Sequence, residues 1–202
     1  DPGVGTFYLT SNNASDAYIQ KLDPDGNFIW AKPLIGSEYK NPYCVVADAS
    51  GVYITGYFRG TVDFNPDKKL KYYLTSYGDY DAFIMKLNPF GTFSWAGQVG
   101  GPGQDIAYSM VMGTDGSLYC TGYFHGTADF NPSSGVFPLT TFGVSDSFIF
   151  KVDQSGNLLW ANQYGGASYE GSHAICRDAS DNVYITGFFW FTSDFDPSPS
   201  SE

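Results

Sequence analysis

The chain has 202 residues, 21 of them acidic and 10 basic, for a formal net charge of −11, and 18% are aromatic. A chain that is 43% hydrophobic is not a disordered one, ten scattered cations form no phosphate-binding patch, and no apolar run approaches the roughly 20 residues of a membrane-spanning helix. The acids are 18 Asp and only 3 Glu. Asp favours turns and Glu favours helices, so with Tyr, Phe, Thr, Val and Ile at the apolar positions the composition predicts an all-β chain with essentially no helix. The opening Asp1-Pro2 is no signal sequence, as expected of a mature product or an excised piece.

The first predicted strand runs from Ala17 to Asp23. A hairpin turn at Asp25-Gly26-Asn27 leads into a second, Phe28 to Ile35. After a loop come Cys44 to Ala47, a turn at Ser50-Gly51 and a strand from Val52 to Phe58. An Asp63-Phe64-Asn65-Pro66 element and a short strand, Tyr72 to Thr75, follow. Then the series starts again. Asp16-Ala17-Tyr18-Ile19 returns as Asp81-Ala82-Phe83-Ile84 and as Asp146-Ser147-Phe148-Ile149. Trp30 returns as Trp95 and Trp160, 65 residues on each time. Tyr53-Ile54-Thr55-Gly56 returns as Tyr119-Cys120-Thr121-Gly122 and as Tyr184-Ile185-Thr186-Gly187, and the Asp-Phe-Asn/Asp-Pro element recurs at Asp129 to Pro132 and Asp194 to Pro197.

Four ordered blocks in three registers mark an internal repeat: repeat 1 over 1–65, repeat 2 over 66–131, repeat 3 over 132–196, and a tail, 197–202. The strands are apolar on both faces, which predicts sheets covered on both sides. A repeated four-stranded antiparallel sheet sandwiched between its own copies is a β-propeller blade. A minimal blade takes ~40–45 residues, so the excess between Gly56 and Asp81, and between Gly122 and Asp146, reads as an extra outer hairpin on each blade. Trp30, Trp95 and Trp160, in equivalent buried positions, and Gly56, Gly122 and Gly187 are expected to form the structural core of the repeat.

The string from Ala47 to Gly101 carries a turn with Gly, a Tyr-Ile-Thr-Gly-Tyr-Phe strand, an Asp-Ala-Phe-Ile-Met-Lys-Leu strand and a Trp strand closing on Gly-Gly. In these blocks the chain resembles the SBBP β-propeller repeat of secreted bacterial proteins, over nearly its whole length. It departs in repeat 1, where Gly36 stands alone. The resemblance implies a propeller at the cell surface or outside the cell, and no single activity.

No catalytic set is expected. His125 and His173 fall at different places in the repeat, in no metal-ligand spacing and beside no nucleophile motif, and read as surface or loop residues. Glu38 and Glu170 lie in the Gly-rich loops and Glu202 at the end, and the Asp residues recur as turn elements, so nothing marks a glycosidase carboxylate pair. Cys44, Cys120 and Cys176 occupy non-equivalent positions, are odd in number, and read as small core hydrophobes on strands. Two oxygen side chains two residues apart (Asp63 and Asn65, Asp129 and Asn131, Asp194 and Asp196) form weak calcium candidates, with an Asx-turn leading into Pro as the favoured reading. Asn13 lies in the only glycosylation sequon, since Pro132 rules out Asn131. No cofactor is expected.

Function is therefore read from the ends. Residues 1–36 hold the second half of a blade and residues 172–197 the first half of another, so each end presents unpaired edges and an uncovered apolar face. Tyr18, Ile19, Phe28 and Ile29 at one end, and Val183, Tyr184, Ile185 and Phe188 at the other, are the self-association candidates. The expectation is a non-catalytic extracellular module whose copies join head to tail into a ring or filament. The first alternative is a carbohydrate-binding propeller, with Tyr72, Tyr73, Tyr77, Tyr80 and Trp190 available to stack on sugar rings. A glycoside hydrolase-like propeller is the weaker one. Neither nucleic acid nor a membrane span is expected.

Overall fold

The computed structural model describes residues 5–11, 16–36, 38–67 and 69–197, which hold seventeen strands and no helix. Asn13 lies outside the described residues. In chain order, β1 (Ala17–Leu22) and β2 (Phe28–Gly36) form a hairpin. The strands β3 (Lys40–Asp48) and β4 (Gly51–Phe58) are followed by a small hairpin, β5 (Thr61–Asp63) and β6 (Tyr73–Thr75), and then by β7 (Asp81–Leu87) and β8 (Phe93–Val99). The same series repeats as β9 (Ile106–Met112), β10 (Leu118–Phe124), β11 (Thr127–Asp129), β12 (Pro138–Thr140), β13 (Asp146–Val152) and β14 (Leu158–Gly166). The last elements are β15 (Glu170–Arg177), β16 (Val183–Phe189) and β17 (Ser193–Asp194).

Two four-stranded antiparallel units result, β3-β4-β7-β8 and β9-β10-β13-β14, flanked by the hairpins β1–β2 and β15–β16. Their registers coincide. Val52 to Phe58 pairs residue for residue with Leu87 to Asp81, and Leu118 to Phe124 with Val152 to Asp146. Each sheet takes strands from two sequence repeats, so the boundaries at 65/66 and 131/132 fall inside sheets.

The turns explain why these segments become strands. Asp23 Oδ1 accepts the backbone N–H groups of Asp25 and Asn27 (3.0 and 2.7 Å), and Asp153 does the same for Ser155 and Asn157. Gly26, Gly91 and Gly156 supply the left-handed residue of each turn, at φ 83°, 75° and 84°.

The sheets stack face to face in chain order. One apolar layer lies between the β1–β2 hairpin and the first sheet (Ile19, Leu34, Phe58, Phe64, Met85, Leu87), and a larger one between the two sheets (Ile84, Val99, Met110, Phe124, Phe130, Phe148). The third, against β15–β16, is small: Tyr119, Ile149 and Ile175. The Phe of each Asp-Phe-Asn-Pro element is a plug. Phe64 packs on Phe58 (5.2 Å between centroids) and Phe83 (5.0 Å), and Phe130 packs on Phe124 and Phe148 (both 5.1 Å).

Three expectations are corrected. The extra hairpin does not lie on the outer edge of its own sheet. It crosses to the outermost strand of the preceding unit: β5 pairs with β2 (Ile35↔Asp63), Asp129 bridges to Gly100 beyond β8, and β17 pairs with β14 (Gly165↔Asp194). Trp30, Trp95 and Trp160 are equivalent but half-buried. Each sits opposite a Lys on the neighbouring strand (Lys21, Lys86, Lys151), and the first two reach across to the next turn. There their indole N–H groups donate to Pro89 O (3.2 Å) and Gln154 O (3.0 Å). Finally, Cys176 is exposed on β15, while Cys120 is buried and Cys44 half-buried.

Candidate functional site

Three features could carry function. The first is a row of bulges. In each inner hairpin one residue drops out of the ladder: Tyr43 between β3 and β4, Tyr108 between β9 and β10, and His173 between β15 and β16. A bulge re-aims the side chain it expels. It also presses the partner backbone against the strand opposite. A Cβ on Gly56, Gly122 or Gly187 would lie 2.0, 1.8 or 2.0 Å from the carbonyl oxygen of Asn41, Ile106 or Gly171. That contact is why the Thr-Gly pair recurs. The expelled rings line up across the sheets, Tyr43 with Tyr108 at 5.0 Å and Tyr108 with His173 at 5.2 Å, and Tyr57, Tyr80, Tyr123 and Phe188 extend the row. Burial first, and then the neighbouring phenols, push Tyr43 up to about 12. His173 is thus an exposed surface residue, on a strand and not in a loop, and Tyr80 joins this row while Tyr73 and Tyr77 stay exposed. Sequence reasoning missed the row. Its signal was the 65-residue spacing of Tyr43, Tyr108 and His173.

The second feature is a set of buried charges where one unit meets the next. An Asp at or just before the start of β1, β7 or β13 lies near a residue at or just before the start of β3, β9 or β15. At the first junction these are Asp16 and Lys40, with Lys40 Nζ 2.6 Å from Asp16 Oδ1 and both side chains nearly inaccessible. At the second they are Asp81 and Asp105, and at the third Asp146 and Glu170, all four buried. Burial raises Asp81 and Asp105 to about 7, and the Asp81 charge adds to the effect on Asp105. Burial, with a contribution from Glu170, raises Asp146 to about 6. Asp81, Asp105 and Asp146 have no exposed surface. They are thus core carboxylates, whereas the Asp residues in general were expected as turn elements. Among the described residues no group of three or more His, Cys, Asp and Glu is gathered.

The calcium candidates sit in Asx turns. Asp63 Oδ1 accepts the N–H of Asn65 and Tyr72, and Lys71 binds its Oδ2 at 2.8 Å. Asp129 Oδ1 accepts from Asn131 and Phe137, Asn131 Oδ1 from Ser133, and Asp194 Oδ1 from Asp196.

The third feature is the pair of terminal hairpins. β1 lies at the edge of its sheet, and β16 pairs with β15 alone. Near-identical sequences have opposite fates here. Tyr53 and Tyr119 are 0% and 6% exposed and Tyr184 is 57%; Phe83 and Phe148 are 1% and 0% exposed and Tyr18 is 65%. Of the other self-association candidates, Ile29 and Phe188 are exposed, Phe28, Val183 and Ile185 half-buried, and Ile19 buried. Phe189 and Phe195 pack at 5.4 Å and 83°, nearly the geometry of Phe124 with Phe130 at 5.1 Å and 85°, but without the third ring that Phe148 provides there. Open clefts flank both edges. One of about 440 Å³ lies beside Tyr18, Ile19, Lys40 and Val45, and one of about 420 Å³ beside Val183, Ile185, Phe188, Phe189 and Phe195.

No protein-family model matches the chain, so the SBBP resemblance rests on its motifs alone. An uncharacterized WD repeat-containing protein of Acanthamoeba polyphaga mimivirus is 28% identical over 175 residues. The match takes in 81% of this chain and 13% of the relative's length. Among the described residues no helix is long and apolar enough to cross a membrane.

Proposed function

We propose that the sheets are β-propeller blades and that the chain is a non-catalytic structural module, working at the cell surface or outside the cell, whose copies join head to tail by completing each other's half-blades. The observation that carries this reading is the missing ring. Phe58–Phe64 and Phe124–Phe130 are each closed by a third aromatic, Phe83 or Phe148, and Phe189–Phe195 is not. The residue that corresponds to Phe83 and Phe148 is Tyr18, exposed on the other terminal hairpin. Seating β1 of one copy beside β16 of the next supplies that ring, pairs two open edges and covers two apolar faces. The contact is heterologous, so it closes into a ring or runs on as a filament. The WD repeat relative supports the blade reading, because a WD repeat is a four-stranded blade. Light scattering over a concentration series tests the proposal. Mass is expected to grow with concentration and to stop growing when residues 1–36 are removed. A monodisperse monomer at all concentrations would overturn it.

A second reading rests on the bulge row. Partly exposed aromatics at about 5 Å spacing form a surface on which sugar rings stack. Glycan-array binding lost in Tyr43→Ala and Tyr108→Ala would favour it over the assembly reading.

A further inference from the structure

We propose that the second and third inter-sheet junctions each bind one divalent, oxygen-seeking cation of the calcium class, through Asp81 with Asp105 and through Asp146 with Glu170. The first junction shows what the position is built for. Its two partners are 24 residues apart in sequence, as they are at the other two junctions. There the Lys40 ammonium is held by three oxygens: Asp16 Oδ1 at 2.6 Å, Glu38 O at 2.9 Å and Gly36 O at 3.2 Å. A full positive charge is thus lodged between two sheets, on a carboxylate oxygen and two carbonyls.

At the next two junctions the Asp is kept and the cation is replaced by an acid. Asp81 Oδ2 accepts from Tyr77 N (3.0 Å) and Gln98 Nε2 (3.2 Å), and Asp146 Oδ2 accepts from the corresponding Phe142 N (3.1 Å) and Gln163 Nε2 (2.9 Å). The other oxygen of each, Oδ1, is the atom whose counterpart in Asp16 meets the ammonium. In Asp81 and Asp146 it is buried and has no hydrogen-bond partner, in side chains with no exposed surface. The opposing carboxylates are fixed by neutral donors only. Asp105 accepts from Gly101 N (2.7 Å) and His125 N (3.3 Å), and Glu170 from Gly166 N (3.1 Å) and Ser193 Oγ (2.8 Å). The backbone also locks each pair together, since Asp105 N donates to Tyr80 O and Glu170 N to Ser145 O, the residues just before Asp81 and Asp146.

Two buried carboxylates at one site cannot both stay charged without a counter-charge. The imidazole beside the second junction, His125, has its Nδ1 engaged with Gln104 O at 2.9 Å, so the side-chain atoms left for an ion are carboxylate oxygens. A pair of carboxylates suits Ca²⁺ better than Mg²⁺, which demands near-ideal octahedral geometry and keeps its waters. The repeat therefore uses two versions of one device, a built-in ammonium at the first junction and a bound ion at the others.

The test is calcium titration of the intact, EDTA-stripped chain by isothermal calorimetry, with thermal unfolding in parallel. Two ions are expected in the parent, one in Asp105→Lys and none in Asp105→Lys/Glu170→Lys, because these variants copy Lys40. Calcium should raise the unfolding midpoint of the parent and leave that of the double variant unmoved. If the lysine variants do not fold, the near-isosteric Asp81→Asn and Asp146→Asn should each lose one ion, while Asp129→Asn, in an Asx turn, keeps both. No bound calcium in the parent, or two ions retained by the double lysine variant or by either junction Asn variant, overturns the proposal. A midpoint that follows pH and ignores calcium overturns it too, because the occupant is then a shared proton.

Discussion

The repeat places one aromatic, at 18, 83 and 148, in three environments, and truncating it should give three different costs. Phe148 has no exposed surface and packs on Phe130, Phe150 and Phe124 at 5.1, 5.8 and 6.5 Å. Phe83 is 1% exposed and packs on Phe64 and Phe58 at 5.0 and 6.4 Å. Emptying either site loses the transfer free energy of the ring and leaves a cavity, together about 3–5 kcal/mol. Tyr18 is 65% exposed. Only about a third of that loss applies, so Tyr18→Ala should cost ~1 kcal/mol in the dilute chain. Once copies associate, the Tyr18 ring enters the same three-ring arrangement, and the cost should climb toward the buried value. Urea unfolding of Phe83→Ala, Phe148→Ala and Tyr18→Ala, each at a low and a high protein concentration, measures this. The first two costs should not change with concentration and the third should rise by ~2 kcal/mol or more. A Tyr18→Ala cost that matches Phe148→Ala at dilution, or that never varies with concentration, refutes the reasoning.

The remaining predictions come from the junctions, the tryptophans and the bulges. With the folded values of Asp81 and Asp105 about 7 and of Asp146 about 6, all above the ordinary 3.8, these groups favour the fold fully below about pH 4 and withdraw that stability as pH rises toward 7. Asp23, Asp115 and Asp178 are held low by side-chain hydrogen bonds within their turns, and Asp181 by the Thr114 hydroxyl of another turn; they act the opposite way, losing stability only as pH falls below about 4. The unfolding midpoint in EDTA should therefore decline from about pH 4.5 to 7, and a flat or rising profile there would contradict the buried pairs. Trp95→Phe should cost about 1 kcal/mol more than Trp160→Phe in denaturant unfolding, because Trp95, like Trp30 but unlike Trp160, donates its indole N–H to a carbonyl of the next turn. Gly122→Ala drives a methyl to 1.8 Å from the Ile106 carbonyl oxygen, so circular dichroism should show a fold lost or severely weakened, whereas Gly126→Ala, with open space around it but φ 68°, should cost only about 1 kcal/mol.

The order and type of the strands were legible because the blocks recur: Val52 to Phe58 and Leu118 to Phe124 are strands of the same register, and their sequences match almost residue for residue. What the blocks do to one another was less so. Trp30 and Trp95 read as buried core residues from their 65-residue spacing and shared flanks, yet their indoles bridge to the following sheet, a contact 59 residues away in sequence. Asp81 and Asp146 read only as the heads of their strands. Only the packing of consecutive sheets shows Asp105 and Glu170 opposite them. The bulges at Tyr43, Tyr108 and His173 were hidden because an expelled residue is chemically ordinary. The trace they leave is in the partner strand, at Gly56, Gly122 and Gly187, which looked like repeat markers until the carbonyls pressing on them were seen. Residues 7–10 match β6 and β12 in sequence but form no strand, since among the described residues no counterpart of β5 or β11 lies beside them.

The proposed half-blade completion implies a register, and that register can be trapped. Inside the chain Tyr53 lies opposite Lys86 and Tyr119 opposite Lys151. The same repeat logic sets Tyr184 of one copy opposite Lys21 of the next. Directly opposed antiparallel residues have Cα atoms ~4.5–5.5 Å apart, within disulfide range. Chains carrying Lys21→Cys and chains carrying Tyr184→Cys, both in a Cys176→Ser background, should form a mixed disulfide dimer when combined under mild oxidation, and neither should dimerise alone. No mixed dimer, or equal cross-linking of each variant with itself, would contradict the account.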